Sequence, residues 1–191
     1  MLLLSDSSAD AHLSTVWNTH ARISKEVAQE HIAELSFLTP ATNIASPLTS
    51  KESPPQQARP DLDAPEELSV RLLLLGILHR TAGEMDASRD FLLECKKSAV
   101  GVNTWVPGVA TFELAVLELK QADVQIGSDL LALDETKKAA WRKVLKSASD
   151  RLAEALSLAP QSVDLSSRLD MRVAMLKDEV ALKRDAIDGV A

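Results

Sequence analysis

The chain has 191 residues, 46% apolar and 26% charged, which supplies material for a core and excludes global disorder. A formal charge of −7 leaves no electrostatic footprint for nucleic acid, and a single cysteine excludes a disulfide framework or a multi-cysteine zinc site. Six glycines, no tyrosine and abundant Ala and Leu argue against an all-β fold.

The chain begins Met1-Leu2-Leu3-Leu4, an apolar run with no basic flank. It is shorter than the roughly 7–15 apolar residues of a signal peptide, so none is read. A long amphipathic helix is predicted over residues 9–37. Leu13, Trp17, Ile23, Val27, Ile32 and Leu35 recur near helical spacing, and Asp6, Ser7 or Ser8 is the expected cap. A lone amphipathic helix must dock its apolar face on something.

Residues 39–64 read as a flexible, disordered linker rich in Pro and Ser. Pro40, Pro47, Pro54, Pro55, Pro60 and Pro65 crowd the stretch, so no helix propagates through it. This divides the chain into an N-terminal helix at 1–38, the linker, and an all-α piece at 65–191.

The C-terminal piece opens on Asp61, Asp63, Pro65, Glu66 and Glu67, acidic and proline signals that suit a helix start. Five helices are predicted over 66–82, 84–100, 107–123, 134–158 and 162–188. Gly83, the stretch from Gly101 to Pro107, Gly127 and Pro160 separate them. The longest apolar run, Leu72 to Leu78, is about a third of the roughly 20 residues that span a bilayer. A soluble, intracellular protein without an integral membrane segment is expected.

These helices carry a repeat signal. A helical hairpin of about 34 residues, with small residues where its two helices cross, is the tetratricopeptide pattern. Leu75 and Gly76 match its Leu–small pair, His79 takes the aromatic position and Gly83 the turn glycine. Ser88, Leu92 and Cys95 match the small, large and small positions of the second helix. A second copy starts at Leu114 and Ala115 and ends on Ala148, Leu152, Ala155 and Pro160. Its halves fit only if about 21 residues are inserted between them, near 125–145. Glu118 departs from the pattern at the aromatic position. The last helix, with Leu165, Leu169, Val173, Leu176, Val180 and Leu182 on one side, suits an end cap.

Three blocks resemble the family of the fungal inclusion-body-clearance proteins and animal tetratricopeptide repeat protein 39. They are Arg71 to Gly83, Phe112-Glu113-Leu114-Ala115-Val116-Leu117 preceded by Trp105-Val106-Pro107, and Asp164-Leu165-Ser166-Ser167-Arg168-Leu169-Asp170-Met171-Arg172. The resemblance covers residues 65–185, the C-terminal part of chains several times longer. It implies a helical repeat protein without catalytic activity. It further implies a role in clearing protein inclusions through lipid-droplet proteins and sterol metabolism. The implied setting is the cytoplasm, the nucleus, or the periphery of lipid droplets or the mitochondrial outer membrane.

Residue chemistry points the same way. His12, His20 and His31 are spaced two or three helical turns apart, too far to share a metal. His79 reads as a packing ring, with a proton carrier facing Glu84 or Asp86 as the alternative. Cys95 reads as a small buried thiol. No nucleophile elbow or phosphate loop is present. No catalytic, cofactor-binding or metal residue is expected, and no cofactor.

The expected function is a scaffold that binds other proteins. Leu72, His79, Thr111 and Glu118 should lie on or just beneath its concave face. The rival reading is a peripheral lipid-surface module. It uses the basic strip Lys138, Arg142 and Lys146, flanked by Lys137 and Lys143, opposite an apolar side of Trp141, Leu145, Ala148 and Leu152.

Overall fold

The computed structural model describes residues 23–49, 61–99, 101, 104–159 and 164–189. Among these the chain is all-α: α1 (Lys25–Phe37), α2 (Pro65–Ala82), α3 (Met85–Ser98), α4 (Val106–Gln125), α5 (Glu135–Leu158) and α6 (Asp164–Asp188). A 3-10 turn, Leu130–Ala132, precedes α5. The five C-terminal helices lie where the breakers place them, with ends shifted by a residue or two, the usual uncertainty of frayed termini.

Local chemistry explains the boundaries. Pro65 opens α2 without losing a needed N–H, and Glu66 and Glu67 face the positive end of its dipole. Gly83 closes it at φ 92°, a left-handed conformation in which its N–H bonds back to Arg80 O and the Glu84 N–H reaches His79 O at 2.8 Å. Asp134 caps α5 by accepting from the Lys137 N–H at 2.8 Å.

The N-terminal helix differs from expectation. It starts at Lys25, because Ser24 is extended and its Oγ accepts from the Val27 N–H. A serine that bonds the backbone this way favours a cap over a helix interior. The earlier part of the predicted helix, with His12, His20 and the caps at Asp6, Ser7 or Ser8, lies outside the described residues.

Each helix packs chiefly on its neighbours in the chain, with further contacts from α2 to α4 and from α4 to α6. The core is correspondingly a chain of three clusters. Ala28 and Ile32 of α1 bury against Leu75, Leu78 and Ala82 of α2 and Phe91 of α3. Leu73, Leu92, Cys95, Ala110 and Leu114 fill the space between α2, α3 and α4. Phe112, Trp141, Leu145, Leu152 and Leu169 anchor the α4–α5–α6 cluster.

On α6, Leu169, Val173, Leu176 and Val180 are buried as the periodicity suggests, but Leu182 is 69% exposed and Ile187 is buried instead. Two residues beyond Val180 is the opposite side of a helix, whereas seven returns to the same side. Lys183 fills the gap, its stem covered and its ammonium 5.0 Å from the Trp141 ring centroid.

The Pro-rich segment carries contacts where it is described. Thr39 and Asp61 form a clasp: the Thr39 N–H and Oγ1 both donate to Asp61 Oδ2 at 2.8 Å, and Leu62 N–H donates to Thr39 O. Those donors hold the Asp61 carboxyl below its ordinary range, the Thr39 N–H most strongly. Ile44 and Leu48 pack against the α1–α2–α3 cluster. Prolines exclude helix here, but they do not prevent two apolar side chains from anchoring the segment as a strap.

Candidate interaction surface

α2, α4 and α6 are joined by an ion cluster. Glu113 of α4 is 2% exposed. Arg80 of α2 places Nη2 2.6 Å from its Oε2, and Arg172 of α6 places Nη2 2.6 Å from its Oε1. Arg80 also donates from Nη1 to the Glu113 carbonyl at 3.1 Å. Burial pushes the Glu113 carboxyl up, but Arg80 and then Arg172 outweigh it and hold the group at about 2. Arg172 is a third exposed and lies over the Phe112 ring at 4.3 Å, so the cluster reaches solvent through it.

The residues expected on or just beneath a binding face are largely covered by the fold. His79 and Thr111 are fully buried, and Leu72 is half-buried. Glu118 accepts from Arg151 Nε at 2.7 Å and from Ser147 Oγ at 2.9 Å.

His79 has its two ring nitrogens satisfied. Nδ1 faces Leu75 O at 2.7 Å, which requires the proton there, so Nε2 accepts from Ser46 Oγ at 2.8 Å. The ring stacks on Phe91 with centroids 4.8 Å apart. Burial pushes its pKa down, opposed by the Leu75 carbonyl and by Glu84. A hydroxyl on a neutral imidazole resembles an activated nucleophile. Here the same Ser46 Oγ also accepts from the Leu48 N–H, and the pair latches the strap to α2.

Cys95 is buried, donates to Ser69 O at 3.3 Å, and burial pushes its thiol up to about 12. A thiol so protonated is a poor nucleophile.

The basic strip of α5 is largely matched by carboxylates. Lys138 meets Glu135 at 3.2 Å, Arg142 meets Asp188 at 2.8 Å, and Lys146 meets Asp150 at 2.7 Å. Trp141, Leu145, Ala148 and Leu152 are fully buried on its other side, and Trp141 Nε1 donates to Gly127 O. His31 pairs with Glu34 on the exposed side of α1. Among the described residues no three His, Cys, Asp or Glu side chains gather as a metal ion requires, and no helix is long and apolar enough to cross a membrane.

Of the residues singled out for packing between paired helices, Pro160 lies outside the described residues. Ser88 Oγ donates to Gly76 O at 2.7 Å, and a Cβ on Gly76 would meet Leu92 Cγ at 2.6 Å. Leu75, Leu92, Leu114, Ala115, Ala148, Leu152 and Ala155 are buried, and Gly83 forms the turn.

The ion cluster and Arg71 are what sequence reading missed. A charged side chain on a helix gives no sign in the sequence of a partner on another helix.

The fold and this surface define an all-α protein whose helices pack in chain order. No family model matches the chain, and neither a curated protein nor a solved structure matches it.

Proposed function

We propose that the chain is a non-enzymatic helical repeat scaffold of the tetratricopeptide kind that binds other proteins. One observation carries this reading: equivalent residues meet in both hairpins. Cys95 meets Ser69 in the first, and a Cβ on Gly108 would lie 3.0 Å from Ala155 O in the second. His79 stacks on Phe91, and Glu118 bonds Arg151. Counted from Gly76 and Leu92, or from Ala115 and Leu152, these are the same places.

In this reading α2, α4 and α6 are the first helices of successive hairpins, and their shared side is the concave one. The ion cluster stiffens that side. The inserted segment is the loop, 3-10 turn and early part of α5. The resemblance to the inclusion-body-clearance and tetratricopeptide repeat protein 39 family supplies the biological role, clearance of inclusions linked to lipid droplets and sterol metabolism. The family assignment, the cytoplasmic or nuclear setting and any lipid-droplet partner belong to this proposal. The lipid-surface alternative is disfavoured by the carboxylates paired along the α5 strip, which cancel much of its positive charge.

The test uses the full chain as bait in cells under folding stress. Variants Ile77→Glu and Val116→Glu place charge on half-buried positions of α2 and α4. With melting checked, they should lose a defined partner set and slow inclusion clearance. Unchanged partners and unchanged clearance in well-folded variants would overturn the reading.

A further inference from the structure

Arg71 of α2 is 5% exposed, yet no carboxylate among the described residues pairs with it. Its Nη1 donates to the Leu38 carbonyl at 2.8 Å, and its Nε is buried without a hydrogen-bond partner. The contrast with Arg80, equally buried but paired with Glu113, is direct. One neutral carbonyl is a poor match for a buried guanidinium, which is costly to desolvate unless an anion shares its site.

Arg71 borders two hollows. One, of about 350 Å³, lies between the end of α1, Leu62 and the first turns of α2. Its walls are Leu35, Leu38, Leu62, Val70 and Leu74. Glu66 and Glu67 complete the lining, both solvent-exposed, so water screens their charge. The other, of about 260 Å³, is more polar and less suited to an anion. There the hydroxyls of Thr42, Ser69 and Ser98 already donate to backbone carbonyls, leaving those protons committed.

We propose that the first groove binds a small apolar monocarboxylate, its carboxylate on Arg71 and its tail among the leucines. An apolar wall with one placed charged group is the usual make-up of a small-molecule site, and the volume falls at the lower end of the roughly 300–1,000 Å³ such sites span. The inference stands on Arg71 and the groove alone and does not depend on the repeat reading.

The experiment titrates the full chain with octanoate by calorimetry and follows leucine methyl signals. Saturable one-to-one binding is expected, perturbing Leu35, Leu38 and Leu74. Octan-1-ol and octylamine, with the same tail and no carboxylate, should bind at least about tenfold more weakly. Leu74→Glu, at a half-open position, should abolish binding while leaving the fold intact. Asn43→Glu, on the other hollow, should leave it unchanged. Arg71→Gln should weaken octanoate by at least about tenfold without weakening octan-1-ol. The proposal is overturned by equal affinity for octan-1-ol, by binding that survives Leu74→Glu or is lost only in Asn43→Glu, or by the absence of saturable binding.

Discussion

Arg172 reaches across 59 residues of sequence to place Nη2 2.6 Å from Glu113 Oε1, closing a buried ion cluster that Arg80 begins. The arrangement ties α6 to α4 and α4 to α2. Glu113→Ala leaves Arg80 buried without its counter-charge and should cost about 3–5 kcal/mol in denaturant unfolding. Glu113→Gln should cost less, since the amide keeps a hydrogen-bond acceptor. Equal stability of wild type and Glu113→Ala would show that the cluster contributes nothing.

The same carboxyl predicts an acid limit. Its folded pKa, about 2, lies below the ordinary 4.5, so the unfolded chain takes up the proton first as pH falls. Its contribution is complete above about 4.5 and is lost progressively as pH falls towards 2. Melting curves across this window should show a steeper loss in wild type than in Glu113→Gln.

His79 predicts a second pH effect, nearer neutrality. Its pKa is lowered from 6.5 in the folded state, chiefly by burial. The unfolded chain therefore binds more protons as pH falls below 6.5, and stability declines in that direction. His79→Gln should flatten the melting temperature measured between about pH 7.5 and about pH 5.5. Ser46→Ala should cost about 0.5–1.5 kcal/mol, the usual net worth of one hydrogen bond. A Ser46→Ala variant with unchanged stability and unchanged hydrogen exchange at residues 44–48 would remove the latch.

Gly76 sits where α2 lies tight against Leu92 of α3. A methyl there would meet Leu92 Cγ at 2.6 Å and Cδ2 at 2.7 Å, atoms of a fully buried side chain. Gly76→Ala should therefore destabilise by about 1–3 kcal/mol, despite the better helix propensity of Ala. Ala155→Leu should cost a similar amount at the α4–α5 crossing. Wild-type-like melting of both variants would count against these contacts.

Cys95 should resist alkylation in the native state. Its thiol is fully buried and raised to about 12, so almost no thiolate exists near neutral pH. Labelling by iodoacetamide should appear only with denaturant. Rapid native labelling would mean that the α2–α3 hairpin opens readily.

Much of the secondary structure was legible because it depends on local order. Proline and glycine stop helices within a residue or two of their own position, and apolar residues recur once per turn. That is why Pro65, Gly83 and Pro107 mark α2 and α4 closely, and why Trp141, Leu145, Ala148 and Leu152 read as one buried face. The same local rule misassigned Leu182, because a run of leucines and valines near a helix end does not say which residue turns inward.

The surface was less legible, for a physical reason. A charged side chain in a helix reads as solvated until another segment brings its partner. Arg80 and Glu113 are then indistinguishable from Arg89 or Glu94. The burial of Arg71 depends on Leu38 returning from the far side of a proline-rich strap, and sequence spacing holds no record of that return.

By itself the sequence determined that this chain is helical and, to within a residue or two, where its C-terminal helices begin and end, both consequences of short-range sterics and periodicity. Only the tertiary structure decided that one carboxylate, Glu113, pairs with two arginines, that His79 bonds Ser46, and that Arg71 is buried against the Leu38 carbonyl. Those outcomes depend on the desolvation and pairing of groups tens of residues apart, which packing alone brings together.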